Sequence, residues 1–165
     1  MKRLISVLIA LMLLLSACSS HSKSQSDSVT FYFLQQEFQY GHSGSVLAAE
    51  SREFSSESRN LSYWMALYLM GPVEDTHITP VPAGTRILCT SLDNGNIQLE
   101  LSEAAGKMSD AEFSLACTCL SLTCFSITDA DEVTIINGDR KIVLNHKNVT
   151  LSDDRTFHSQ TEETK

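Results

Sequence analysis

Asn94-Gly95 stands between two stretches, Arg86 to Leu92 and Ile97 to Ser102, in which apolar and polar residues alternate. No other feature of the chain constrains its folding as tightly. A type I′ turn needs positive φ at both central residues, and asparagine followed by glycine supplies them at low cost. With Asn94-Gly95 as a two-residue loop, Leu92 faces Ile97, Thr90 faces Leu99 and Leu88 faces Leu101. Those six share one mostly apolar face, while Cys89, Ser91, Gln98 and Glu100 share the other. A slip of one residue would exchange the two faces, so the pattern predicts a one-sided hairpin of fixed register.

The same reading extends along the chain. Val29, Phe31 and Phe33 alternate with Thr30, Tyr32 and Leu34, predicting a first strand, and a second is expected over 45–54. Gly41-His42-Ser43-Gly44 supplies the turn between them. A helix is expected from Ser55 or Ser56, either of which can cap it. Its apolar face is Leu61, Trp64, Met65 and Tyr68, and Gly71-Pro72 stops it. Ser109-Asp110-Ala111-Glu112 is a capping box, and the helix it opens is expected to reach about Cys124. Phe113, Ala116, Cys117, Leu120 and Cys124 form its buried face. A last hairpin, 132–136 and 139–144, turns at Asn137-Gly138. The order β-β-α-β-β-α-β-β predicts an α+β fold, with two helices packed on one face of a mostly antiparallel sheet.

The N-terminus has a different character. Lys2 and Arg3 precede an almost wholly apolar run, Leu4 to Leu15, which is too short for a transmembrane helix. Leu15-Ser16-Ala17-Cys18 follows, with small residues before a cysteine. This is the layout of a secretory signal, and the four residues resemble a bacterial lipobox at every position. The resemblance implies thioether attachment of diacylglycerol to Cys18 and cleavage before it. Two acyl chains anchor stably where one is marginal. Residues 1–17 are therefore read as a lipoprotein signal and 18–28, rich in serine, as a lipidated cysteine and flexible tether. The folded domain is placed at 29–144, and 145–165 is read as a polar, disordered tail.

Removing seventeen residues from 165 leaves 148, and losing Lys2 and Arg3 moves the formal charge from −8 to −10. That length suits one domain. The negative balance argues against nucleic acid and against electrostatic attachment to anionic lipid. Membrane contact is thus assigned to the lipid, on the extracytoplasmic face.

The residues show no converging acid, base and nucleophile, so no enzymatic activity and no cofactor are expected. Beyond Cys18 there are four cysteines: Cys89, Cys117, Cys119 and Cys124. An even number in an exported domain raises the question of disulfides. Cys117 and Cys124 are two turns apart on one helix, out of bonding reach, and Cys117 and Cys119 point in different directions. Pairing of Cys89 with Cys119 stays open, but the favoured reading is that Cys117 and Cys124 fill the core as small hydrophobes. Cys-x-Cys-x4-Cys on one helix cannot aim three thiols at one zinc, so no metal site is expected. Gly41-His42-Ser43-Gly44 lacks the spacing and context of a nucleophile elbow. His21, His42, His77, His146 and His158 are scattered and read as solvated, as is the acidic run Asp129-Ala130-Asp131-Glu132, which is too short for a calcium loop. Asn60-Leu61-Ser62 and Asn148-Val149-Thr150 match the glycosylation acceptor pattern and are read as chance.

Several motifs resemble GerM domains, a module of sporulation and spore germination proteins. Tyr68-Leu69-Met70-Gly71-Pro72 is similar to the family's L-x-x-G-P helix ending, and Val81-Pro82-Ala83-Gly84-Thr85 to its P-x-G-T approach to the hairpin. Ile97 to Ser102 resembles its V-d-L-S strand, and Val133 to Gly138 its closing strand and turn. The ordered set covers most of 29–144. The sequence departs from the family in its second helix, where Cys117, Cys119 and Cys124 replace aliphatic or threonine-rich residues. The resemblance implies a GerM or ring-building-motif fold and a non-enzymatic assembly module. It also implies contacts with envelope or sporulation proteins, or with copies of itself. The alternative weighed here is a lipoprotein binding peptidoglycan or a small ligand.

Overall fold

The computed structural model describes residues 27–37, 45–54 and 60–149. The signal, Cys18, nearly all of the tether, the Gly41–Gly44 turn, Ser55, Ser56 and residues 150–165 lie outside them. The elements in order are β1 (Asp27–Gln35), β2 (Leu47–Phe54), α1 (Leu61–Leu69), β3 (His77–Ile78), β4 (Ile87–Asp93), β5 (Asn96–Leu101), a 3₁₀ turn (Glu103–Lys107), α2 (Asp110–Ile127), β6 (Glu132–Asn137) and β7 (Arg140–Asn145).

The class is α+β with two helices and mostly antiparallel strands, but the strands form two sheets, ordered β2-β1-β3 and β4-β5-β6-β7. β3 was not anticipated, since two residues are too few to leave a periodic signal. β5 and β6 are parallel, with Leu99 opposite Ile135. Parallel neighbours need a long crossover, and the segment that carries α2 provides it.

The hairpin register at Asn94-Gly95 holds from the turn to Thr90. Leu92 pairs with Ile97 and Thr90 with Leu99, while Asn94 and Gly95 take φ values of 48° and 78°. Ile97, Leu99 and Leu101 are buried and Gln98 and Glu100 exposed. At its far end the pairing shifts. A bulge between Ile87 and Cys89 sets Ile87, not Leu88, opposite Leu101. Leu88 is therefore displaced from the inner face and 57% exposed; Leu92 keeps its partner but is 54% exposed because β4 is the sheet's outermost strand.

α1 starts later than Ser55 or Ser56. Asn60 is its N-cap, accepting the Ser62 N–H at 2.9 Å through Oδ1. Asparagine is among the best caps, and this role places Asn60 at the helix boundary. The buried face is Leu61, Trp64, Met65 and Tyr68. Gly71, at φ 94°, closes the end.

The Ser109 capping box forms with Glu112 in both directions, but α2 runs to Ile127 and is buried nearly all round from Leu115 to Cys124. Two cores meet on it. Phe113, Ala116, Cys117, Leu120 and Cys124 enter the main core with Phe31, Phe33, Trp64, Met65, Tyr68, the β5 leucines and Val133 and Ile135. Leu115, Cys119 and Leu122 form a second core with Leu47 and Val149. Among the described residues α2 is long and apolar enough to cross a membrane, yet 56% of it is buried inside the protein, as befits a core helix. The packed chain also continues beyond 144: Val149 is 5% exposed and its N–H donates to the Asn145 carbonyl at 3.1 Å.

Candidate interaction surface

β1 is paired with β2 along its length, but on its other side β3 reaches only Leu34 and Gln35. Successive residues of a strand aim their amides at alternate sides, so Thr30 and Tyr32 turn theirs toward the open side. Helix side chains meet them. Tyr32 N–H donates to Thr123 Oγ1 at 3.0 Å, and Tyr32 C=O accepts from the Tyr68 hydroxyl at 3.0 Å. Thr30 N–H donates to Ser126 Oγ at 3.2 Å, and that hydroxyl lies 2.6 Å from Thr30 C=O. Thr123 returns its own proton to Cys119 C=O at 2.8 Å. Buried backbone groups without partners are costly, so a polar stripe on an otherwise apolar helix completes the strand.

β3 is held by a carboxylate. Glu50 sits on the inward side of β2 between Ala48 and Arg52 and is 7% exposed. Its carboxylate accepts N–H bonds from Val73 and Glu74 at 3.1 Å, a bond from Arg52 Nη2 at 2.9 Å, and lies 2.8 Å from His77 Nδ1. Burial pushes the Glu50 carboxyl up, but these bonds together outweigh it and hold it at about 2. Arg52 Nη2 also donates to Gly71 C=O at 3.0 Å, and the guanidinium lies 4.6 Å over the Phe31 ring.

A second clamp has the opposite charge. Arg140 donates from Nη1 to Met108 C=O and from Nη2 to Ala105 C=O, both at 3.0 Å, and lies 4.1 Å over the Phe113 ring. Buried Asn137 donates from Nδ2 to Leu101 C=O and Ser102 C=O at 3.2 and 2.9 Å. The two residues satisfy carbonyls around the 3₁₀ turn. Sequence reasoning took Asn137 only as a turn residue and passed over Glu50, Arg52 and Arg140. For Glu50 and Arg52 a signal existed: charges at alternate positions of β2, on the side that also carries Ala48.

The histidines correct an expectation. His77 is tied to Glu50, and His146 Nε2 lies 3.2 Å from Ala130 C=O with its ring 4.2 Å from that of Phe125. Both were read as solvated; His146 is exposed despite these contacts, whereas His77 is largely buried because Glu50, remote in sequence, lies against it. The Asp129–Glu132 run also docks on the hairpin. Asp131 N–H donates to Gly95 C=O at 2.8 Å, and Glu132 accepts from Asn96 Nδ2 at 2.6 Å.

The four described cysteines are free thiols, Cys89 exposed and Cys117, Cys119 and Cys124 buried. Burial pushes the Cys117 and Cys124 thiols up to about 12, and that of Cys119 higher still. Such thiols carry almost no thiolate at neutral pH and are inert as nucleophiles. No group of three His, Cys, Asp or Glu side chains among the described residues is placed to hold a metal ion. Cys18, the expected lipidation site, lies outside the described residues.

What faces outward is an open groove and an edge. The groove, about 340 Å³, is walled by Leu34, Ile78, Val81, Met108 and Leu115, with Glu112 at its rim. The edge is β4, whose Leu88 and Leu92 are among the exposed large apolar side chains, and Tyr63 on neighbouring α1 is 46% exposed. Ser62 and Thr90 join α1 to β4 through their hydroxyls.

No family model matches the chain, and no curated protein matches it. Two solved structures are similar to it. One is a protein of Clostridium perfringens described as a candidate lipoprotein, 14% identical, with a TM-score of 0.44 over 81% of this chain and 87% of that one. The other comprises the tandem GerMN domains of the sporulation protein GerM from Bacillus subtilis, 14% identical, with a TM-score of 0.49 over 81% of this chain and 44% of that one. The chain thus spans under half of the tandem, whose domains are of the type that the sequence motifs resemble.

Proposed function

We propose that this chain is a lipid-anchored envelope protein that works by docking and assembly rather than by catalysis. The observation that carries the reading is the use to which the interior polar groups are put. Arg140, Asn137, Thr123 and Ser126 bond the protein's own backbone, and Glu50 is shared between backbone amides and the Arg52 and His77 side chains. Groups committed in this way are not free to move protons for a substrate. The Leu15-Ser16-Ala17-Cys18 lipobox supports anchoring through Cys18 on the extracytoplasmic face. The GerM-like motifs direct the proposal toward sporulation or germination. Tethering confines the domain to a surface, where weak contacts act at raised effective concentration.

The test is metabolic labelling with a radiolabelled fatty acid, alongside fractionation of wild type and Cys18→Ala. The expected result is label and membrane association in wild type and loss of both in the variant. Retention of the variant in the membrane would overturn the anchoring. A hydrolase or thiol-exchange activity that vanishes on changing one residue would overturn the non-enzymatic assignment.

The groove beside Leu34 and Leu115 favours a second reading, a lipoprotein that binds a wall fragment or small ligand. Thermal-shift measurements with peptidoglycan fragments separate the two: a saturable rise in Tm supports the ligand-binding reading. Trp64 would contribute little to such a site, because it is buried in the core.

A further inference from the structure

We propose that the domain, tied at Cys18, stands on the end that carries the Asn94-Gly95 tip and turns its groove away from the lipid, toward partners that lie beyond the membrane surface. This deepens the docking reading by saying which end of the domain is offered, and it rests on the anchoring at Cys18.

The elements give the domain two distinct ends. β1 and α2 run side by side in opposite directions: Thr30 meets Ser126, Tyr32 meets Thr123, and Cys119 Sγ lies 3.8 Å from the Phe33 C=O. The start of β1 therefore lies at the C-terminal end of α2. Asp131, just past that helix, bonds Gly95 at the hairpin tip, and Ala130 meets His146 just past β7. These segments make up the first end. The second end gathers around the far end of β1 and the N-terminus of α2. It holds β3 opposite Leu34, the 3₁₀ turn and Met108, the last two tied by Arg140 to the start of β7. The groove between Leu34, Ile78, Val81, Met108 and Leu115 belongs to this second end.

The anchor enters at the first end. β1 begins at Asp27, which pairs with Phe54, and three residues on the Ser126 hydroxyl holds both the N–H and the C=O of Thr30. The strand cannot peel from its helix to lengthen the connection without giving up these bonds. Asp27 is nine positions after Cys18, a stretch that spans at most about 30 Å fully extended. A serine-rich chain of that length averages about 17 Å end to end. Leu34 is seven positions further along β1, about 23 Å at the rise of a strand. Laying the groove on the lipid would lift Asp27 by about that distance and stretch the connection well past its average, at a cost in conformational freedom. Standing on the first end leaves the connection at its natural length.

Charge does not select the opposite orientation. Exposed carboxylates occur at both ends, Asp93, Asp129 and Asp131 at the first and Glu103, Asp110, Glu112 and Asp139 at the second. Anionic headgroups repel both, so the point of attachment decides. A partner that meets the groove therefore comes from outside the lipid layer and not from within it.

The experiment uses the lipoprotein purified from bacterial membranes and reconstituted in vesicles of phosphatidylethanolamine and phosphatidylglycerol, with an energy-accepting dye on a fraction of the headgroups. Cys89→Ser removes the exposed thiol, and Cys117, Cys119 and Cys124 are buried. A donor dye is then placed through Asp129→Cys at the first end or Asp139→Cys at the second, two exposed positions about 20 Å apart along β6. Energy transfer from position 129 is expected to be about twice that from position 139. Inserting about twenty glycine and serine residues after Ser26 should bring the two values together, since a long connection imposes no orientation. Equal transfer from the two positions at native length, or greater transfer from 139, overturns the proposal, as does a difference that survives the insertion. Failure of the protein to float with the vesicles would overturn the anchoring and this orientation with it. Flotation with equal transfer would overturn the orientation alone.

Discussion

β1, beyond the two residues that β3 pairs, and β4 each leave one side without a strand among the described residues, and the protein treats the two open sides in opposite ways. The open side of β1 is inside, and it is sealed by Thr123, Ser126 and Tyr68, with β3 closing the last two residues. The open side of β4 faces outward and carries exposed Leu88 and Leu92. The difference is one of solvent. Water satisfies an exposed amide at little cost, whereas a buried amide must find a partner within the fold. An inward edge therefore constrains the residues of a distant helix, and an outward edge leaves its own residues free to serve contact.

The largest expected effect comes from loosening the seal at β3. Glu50→Ala removes the acceptor shared by Val73 N–H, Glu74 N–H, Arg52 and His77. Stranding a partly buried guanidinium in this way costs about 3 kcal/mol, to be read in urea denaturation. Loss of hydrogen-exchange protection at β3 and the neighbouring end of β1 should accompany it. A cost under about 1 kcal/mol would mean that β3 closes β1 without help.

The same clamp carries a pH signature. The Glu50 carboxyl is held at about 2 in the fold, below its ordinary value of 4.5. A depressed acid lends stability that is complete above the unfolded value and fades as pH falls toward the folded one. Stability should therefore drop between about pH 4.5 and 2, and Glu50→Gln should flatten that part of the curve of Tm against pH. Equal slopes for the two proteins would show that other carboxylates govern acid unfolding.

Next comes the polar stripe. Thr123→Val keeps the shape of the side chain but leaves the Tyr32 N–H without its acceptor, a loss of about 1–3 kcal/mol. If the variant matches wild type, the amide has another partner and the seal is less complete than the distances indicate. Smallest is Leu92→Lys on the open edge, expected within about 0.5 kcal/mol of wild type because an exposed position away from the core tolerates change. A large destabilisation would mean that β4 is covered rather than open.

The hairpin at Asn94-Gly95, the inward set Ile97, Leu99 and Leu101, the Ser109 capping box and the Gly71-Pro72 stop were all legible, because each follows from neighbours within a few residues. The late start of α1 at Asn60 was not, since Ser55 and Ser56 are equally good caps and only packing chooses among them. Nor was the bulge that expels Leu88, for Ile87 and Leu88 are both apolar and the pattern does not say which of them faces Leu101. Of the candidate surface, the polar outer side of the hairpin was legible in its alternation, while the groove joins residues as far apart as Leu34 and Leu115.

By itself the sequence determined local geometry and class: two helices, paired hairpins and their inward faces. Those are set by periodicity and by turn and cap chemistry, which act over one or two turns of chain. Only the tertiary structure decided that the strands divide into two sheets and that α2 serves two cores at once. It alone gave Glu50 and Arg140 their backbone partners. Those outcomes depend on which buried groups lack a partner after the elements meet, and that need arises between residues scores of positions apart.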